Sequence, residues 1–210
     1  MRLKIALSKG RILKQILPVF ERAGLELAEH PETSRKLVIP IKNSQVSIVI
    51  VRATDAPTYV RLGAADLGIV GKDVLMETGG SDLYELFDTG LARCRLSLAQ
   101  LSGEANADKT TSGKIKVATK YENVARGYFA SKGIQSEIIK LYGSMELAPH
   151  AGLCDRIIDL VDSGNTLKAN SLIETETIAH ISARLVANKI SYNLKREQLM
   201  PLIDKLKRAI

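Results

Sequence analysis

The chain contains no tryptophan, and only three phenylalanines and six tyrosines among 210 residues. The aromatic platforms on which single-stranded nucleic acids stack are therefore thin. No block of five or more basic residues occurs either, so a polybasic arm for nucleic acid is missing. The two cysteines, Cys94 and Cys154, stand far apart and fit neither a disulfide framework nor a metal site. They read as buried thiols. His30, His150 and His180 lack metal-ligand spacing. GxxxxGK[ST], GxGxxG and GxSxG are all absent, which removes the main support for kinase, dinucleotide oxidoreductase and α/β-hydrolase readings. No apolar run approaches the ~18 to 20 residues of a membrane span. The opening MRLKIALSKGRI lacks the apolar stretch and cleavage site of a signal peptide. The expectation is a cytoplasmic protein with neither membrane nor nucleic acid as partner.

What is present is an ordinary globular composition, 45% hydrophobic and 25% charged, long enough for one large domain or two small ones. The net charge of +7 suits a polyanionic ligand. Its cations are scattered, often beside glycines, which favours small phosphorylated molecules over a long polymer.

Strand and helix signals alternate. RLKIAL reads as a strand and GRILKQILPVFERAG as an amphipathic helix, with Pro18 predicting a kink or a late start. KLVIPI and QVSIVIVR form a hairpin across KNS. Ala53–Leu62 is a short helix, ADLGIVG a strand, KDVLMETG a helix and LYELFD a strand. RLSLAQL, KIKVATK, SEIIKL and RIIDLV are further strands, with ENVARGYFASKG a helix and SMELAPHAG a short one. SLIETETIAHISARLVANK reads as one or two long strands, and LKREQLMPLIDKLKRAI as a closing amphipathic helix. The polar segment 103–113 reads as a surface loop. The alternation argues α/β with a mainly parallel sheet. A two-lobe division fits, with 1–90 plus 171–210 as one lobe, 91–170 as the other, and a central cleft for ligands.

One stretch carries the strongest chemical signal. In DLVDSGNTLKAN an apolar strand runs through Asp159 and Asp162 into Ser163, Gly164, Asn165, Thr166 and Leu167. Glycine permits a tight turn whose N–H groups converge on an anion, and the two hydroxyls add donors. Asp159 and Asp162 would repel a phosphate directly, so they suit sugar hydroxyls or a metal bound to them. The same residues also suit a capped strand-to-helix turn. Lys9 and Arg11 flank a glycine where the first strand ends, a position that faces ligand crevices in open α/β sheets. Arg35, in SRKL, is an anion or purine contact or a surface arginine. In GAADLGIVGKDVL, Gly68 and Gly71 permit close backbone approach, and Asp66 and Asp73 suit turn and helix caps. Glu146, after Gly143-Ser144, reaches a ribose hydroxyl or stands as an acid in a helix first turn.

Together these segments resemble the ATP phosphoribosyltransferases of histidine biosynthesis. The match is strongest over ELAPHAGLCDRIIDLVDSGNTL, Glu146–Leu167, with its Glu, five residues, Gly, apolar strand, Asp and [Ser/Thr]-Gly-x-Thr-Leu. Cys154 departs, standing where that family usually has Gly, Ala or Ser. SKGRI, SRKL, RATDAPTYV, GAADLGIVGKDVL and LYGSMELAP follow in the family's order. The resemblance implies two α/β lobes like type II periplasmic binding proteins, and transfer of 5-phosphoribosyl from its 1-pyrophosphate to N1 of ATP. It implies that Ser163, Gly164, Asn165, Thr166 and Leu167 hold the 5′-phosphate, with Asp162 beside them. Glu146 and Asp159 take the ribose hydroxyls, directly or through Mg2+. Lys9, Arg11, Arg35 and Mg2+ stabilise departing pyrophosphate, and Arg52, Asp66 and Gly71 contact ATP. A chain ending at Ile210 resembles the short form, a homodimer when alone, which works with a separate regulatory subunit similar to histidyl-tRNA synthetase. A phosphate-ester sensor, a basic RNA-binding module and a phosphoribosyltransferase with another acceptor are the competing readings.

Overall fold

The computed structural model describes residues 2–104 and 114–210, so the polar segment 103–113 lies outside the described residues from 105 onward. In chain order the elements are β1 (Leu3–Ser8), α1 (Arg11–Arg22), β2 (Val38–Pro40), β3 (Val46–Val51), α2 (Ala56–Arg61), β4 (Leu67–Gly71), α3 (Lys72–Thr78) and β5 (Leu83–Asp88). Next come β6 (Cys94–Leu101), β7 (Ile115–Thr119), α4 (Glu122–Ser131), β8 (Ser136–Lys140), α5 (Leu147–His150), β9 (Arg156–Val161), α6 (Asn165–Ala169) and β10 (Leu172–Ile181). The chain closes with β11 (Ala183–Asn188), α7 (Lys189–Leu194) and α8 (Arg196–Ala209).

Two compact units result, 1–92 with 182–210, and 93–181. The sequence places the second crossing at 170/171, whereas the structure places it after Ile181. The reason is pairing: β10 runs antiparallel along β6 from Leu172↔Leu101 to Ile181↔Cys94, which holds it in the second unit.

The first unit carries a sheet ordered β2-β3-β1-β4-β11-β5. The strands β3, β1 and β4 are parallel, while β2 and β11 run against their neighbours. The second unit carries a sheet ordered β10-β6-β9-β7-β8, parallel only across β9, β7 and β8. Both sheets are therefore mixed, not mainly parallel. The antiparallel members are the β2–β3 hairpin and the strands β6, β10 and β11, which lie next to the two crossings.

Both faces of the first sheet are covered, as expected for near-continuous apolar strands. Leu3, Ile5 and Leu7 of β1 pack with Leu13, Ile16 and Phe20 of α1 and Leu199, Leu202 and Leu206 of α8. On the other face Ala6, Val70 and Val186 meet Ala56 and Val60 of α2 and Val74 and Leu75 of α3. Each fully buried Leu, Ile or Phe contributes about 1.5–3 kcal/mol. Gly68 allows the helix approach, since a Cβ there would stand 2.7 Å from Val60 Cγ2. The close backbone approach it permits is that of α2. Pro18 neither delays α1 nor ends it. It sits on the exposed face, where the Lys14 carbonyl it leaves without an N–H can bond water.

Candidate active site

In the second unit three parallel strands deliver their carboxyl ends to one edge. β7 leads into Lys120, β8 into the 141–146 segment, and β9 into Asp162–Thr166. Connections diverge there, because β7 passes to β8 on one side while β9 passes through α6 to β10 on the other. Such a switch point is where open α/β sheets bind ligands.

The 162–166 turn has the form its composition requires. Gly164 adopts φ 80°, ψ 4°, the left-handed region that glycine enters without steric cost. Ser163 Oγ accepts the Asn165 N–H at 3.3 Å. Among the described residues, the N–H groups of Ser163, Gly164 and Thr166 meet no acceptor. Leu167 is buried in the unit's core and anchors the turn from beneath. Asn165 and Thr166 are exposed. Because α6 spans only five residues, its dipole is short, and the donors this turn offers are its own N–H and hydroxyl groups.

Asp159 lies half-buried within β9. Burial pushes its carboxyl above the ordinary range, the Lys120 ammonium and the Leu160 N–H pull it back, and Glu146 pushes it up further. Lys120 Nζ stands 3.7 Å from Asp159 Oδ1, and the Leu160 N–H donates to the same oxygen at 2.8 Å. Glu146, half-buried at the start of α5, caps no helix N–H with its side chain. The two acids thus form one electrostatic group with Lys120 between strand ends. Lys120 obeys the same strand-end logic as Lys9, and its signal is the lysine that closes the strand pattern KIKVATK.

In the first unit, Lys9, Arg52 and Gly71 follow or end β1, β3 and β4, so they share the carboxyl edge of that sheet's parallel strands. Arg35 precedes β2, whose beginning lies beside the end of β3 through the Ile50 N–H to Leu37 carbonyl bond of 2.7 Å. Lys9 and Arg52 line one hollow of about 490 Å3 with Leu37, Val51, Asp55 and Tyr59. Leu37 and Tyr59 are exposed, an apolar and an aromatic surface beside two cations. Arg11 donates Nη2–H to the Ala92 carbonyl at 2.7 Å. Gly71 is required locally, because a Cβ there would overlap the carboxylate of Asp73.

Asp66 corrects the expectation of an ATP contact. It is 3% exposed at the opposite edge of the sheet, where Oδ2 accepts the Lys4 N–H at 2.9 Å and Oδ1 accepts Lys195 Nζ at 2.6 Å. Both oxygens serve the fold. Among the described residues no group of three His, Cys, Asp or Glu can hold a metal ion. No described helix is long and apolar enough to cross a membrane.

The family model HisG, ATP phosphoribosyltransferase, matches residues 52–208. Enzymes named ATP phosphoribosyltransferase from Burkholderia orbicola (strain MC0-3) and Burkholderia vietnamiensis (strain G4) are each 53% identical over 208 residues, 99% of this chain and 96% of theirs. The solved ATP phosphoribosyl transferase (HisG:HisZ) complex from Thermotoga maritima contains a chain that superposes with TM-score 0.84 at 34% identity, covering 99% of this chain and 98% of that one. The periplasmic aliphatic sulphonate binding protein SsuA from Escherichia coli shares the fold alone, with TM-score 0.60 at 14% identity, covering 99% of this chain and 72% of that one. The architecture is thus that of type II periplasmic binding proteins. The chain belongs to the ATP phosphoribosyltransferase family, pentosyltransferases that join N1 of ATP to C1 of 5-phosphoribosyl 1-pyrophosphate in the first step of histidine biosynthesis.

Proposed function

We propose that the turn Ser163–Leu167 binds the 5′-phosphate of 5-phosphoribosyl 1-pyrophosphate. The observation that carries this is the set of unpartnered N–H groups of Ser163, Gly164 and Thr166 around a left-handed glycine. Thr166 adds a hydroxyl donor, and Leu167 contributes its backbone alone, since its side chain is buried. Asp162 points its carbonyl to Arg95 and keeps that oxygen off the phosphate. Asp159 and Glu146 accept from the ribose hydroxyls.

The hollow beside Arg52 takes ATP, with Tyr59 and Leu37 as surfaces for the base. Adenine N1 already has a lone pair and needs no general base. That pair forms the bond to ribose C1 as the C1–O bond breaks, and the bonding electrons leave on pyrophosphate. Lys9 and Arg35, with Arg11 shared with the Ala92 carbonyl, offset the growing negative charge, and loss of one such donor costs ~3 kcal/mol in the barrier. Asp159 and Glu146 fit Mg2+, which is held by one or two carboxylates together with substrate phosphates. When bound, Mg2+ supplies further charge neutralisation on the pyrophosphate oxygens. The Thermotoga maritima relative is a complex of two kinds of chain. By the same arrangement this chain works with a separate regulatory subunit.

The test is turnover of ATP and 5-phosphoribosyl 1-pyrophosphate with Mg2+ and a pyrophosphatase, with and without that subunit. The adduct is read by mass spectrometry. Thr166→Ala is expected to raise KM for the phosphoribosyl donor about tenfold and leave KM for ATP unchanged. An unchanged KM for the donor would remove the turn from the site.

A further inference from the structure

We infer that Arg95, with Glu174 as its brace, is a positioning residue that orients the N–H of Ser163 for phosphate. The inference rests on the proposed reading of the 162–166 turn.

Arg95, the second residue of β6, stands opposite Val161, the last residue of β9. Its Nε and Nη2 each donate to a separate oxygen of Glu174 at 2.6 Å, a fork that holds the guanidinium plane. Glu174 is itself held: Ser97 Oγ donates to Oε1 at 2.7 Å and Thr177 Oγ1 at 3.2 Å. The third direction of the guanidinium is aimed at the turn, where Nη1 donates to the Asp162 carbonyl at 2.8 Å. The guanidinium also lies against the glycine, since a Cβ built on Gly164 would stand 3.9 Å from Nη2.

The consequence follows from peptide geometry. In a planar trans peptide the C=O and the next N–H point in opposite directions. Arg95 draws the Asp162 carbonyl toward β6, so the Ser163 N–H is turned to the other side. Asn165 N–H is already taken by Ser163 Oγ, which leaves the Ser163, Gly164, Thr166 and Leu167 N–H groups as the donors open to an anion. Without the fork the 162–163 peptide can rotate and present a carbonyl oxygen to the phosphate. Lysine keeps the charge but has no fixed fork, so it cannot replace this function.

The experiment uses the full chain, 15N-labelled, titrated with ribose 5-phosphate, together with steady-state kinetics. In the wild type the amides of Ser163, Gly164 and Thr166 shift on titration. If they do not, the phosphate reading of the turn falls and this inference falls with it. In Arg95→Lys the Ser163 amide is displaced before ligand is added. The Kd for ribose 5-phosphate and the KM for 5-phosphoribosyl 1-pyrophosphate both rise about tenfold, while KM for ATP is unchanged. Wild-type affinity in Arg95→Lys, whatever its melting temperature, overturns the positioning role and leaves the site reading intact. Glu174→Gln serves as a second variant that retains the arginine. Weaker ribose 5-phosphate binding supports the brace. Tighter or equal binding overturns it, because a released Arg95 would then be a direct phosphate ligand or irrelevant.

Discussion

Replacing Asp66 separates a structural acid from a nucleotide ligand. The carboxylate is 3% exposed and receives two bonds, from the Lys4 N–H and from Lys195 Nζ. Its own carbonyl also accepts the Asn188 N–H at 3.0 Å, where β11 gives way to α7. Asp66 thus ties the C-terminal helices to the amino edge of β1. A hydrogen bond to a charged group is worth ~1.5–3 kcal/mol, and breaking a buried ion pair costs ~3–5 kcal/mol. The Lys195 side chain keeps 22% exposure, so it can recover water and the lower end applies. Asp66→Ala is expected to cost about 3 kcal/mol. At roughly 3 °C per kcal/mol for a protein of this size, the Tm falls by about 10 °C. Thermal unfolding followed by circular dichroism measures this, and KM for ATP is read well below the transition. Lys195→Met should also lower Tm, because it leaves the buried Asp66 carboxylate without its cation, and the double variant should fall short of the sum, since both remove one shared bond. A Tm within 2 °C of wild type, with KM for ATP raised about tenfold, would refute the reasoning and return Asp66 to the nucleotide site.

Two pH-linked outcomes follow from the second unit. Burial raises the Asp159 carboxyl above its unfolded value, so its ionisation opposes folding at neutral pH. Asp159→Asn is therefore expected to raise Tm at pH 7, with the gain vanishing below about pH 4, while KM for the phosphoribosyl donor rises. A lower Tm for the variant at pH 7 would contradict this. Glu174 is held at about 2, chiefly by the Arg95 fork and then by Ser97. Its contribution is complete above the unfolded carboxylate value of ~4.3 and is lost as pH falls toward about 2. The Tm deficit of Glu174→Gln at pH 6 should shrink steadily down to pH 2, and a constant deficit would show that the charge plays no part.

Local chemistry made most elements legible. The 3.6-residue spacing of Leu13, Ile16 and Phe20 gives α1, and the apolar runs of β1, β3 and β4 are buried on both faces. Pairing partners are not local. SLIETETIAHISARLVANK reads as one or two strands, yet nothing in it says that Leu172–Ile181 pairs with β6 while Ala183–Asn188 pairs with β4 and β5. The unit boundary and the mixed character of both sheets depend on that choice. Nothing local marks α7, because Lys189–Leu194 follows a strand without a break, and its cap is Asn188, buried inside the pattern.

The same division governs the site. Lys9, Arg52, Lys120 and the 162–166 turn stand directly after strands, so a rule about strand ends finds them one segment at a time. That rule requires knowing which end of a strand a residue occupies. Asp66 and Gly71 flank the same strand, and their motif treats them alike. Yet β4 runs parallel to β1, which puts Gly71 on the edge with Lys9 and Asp66 on the edge with Lys4. Direction is a tertiary fact, and it reverses the reading of an acid five residues away. Arg95 and Glu174 are a harder case, because their separation of 79 residues leaves no spacing to recognise. Neither residue stands in a motif, and each alone reads as a charge on a strand. Their meaning comes from a carbonyl on a third segment, Asp162, which receives the guanidinium's remaining direction. Residues that touch substrate are constrained by chemistry and leave local patterns. Residues that orient them are constrained by geometry, and only the folded chain displays it.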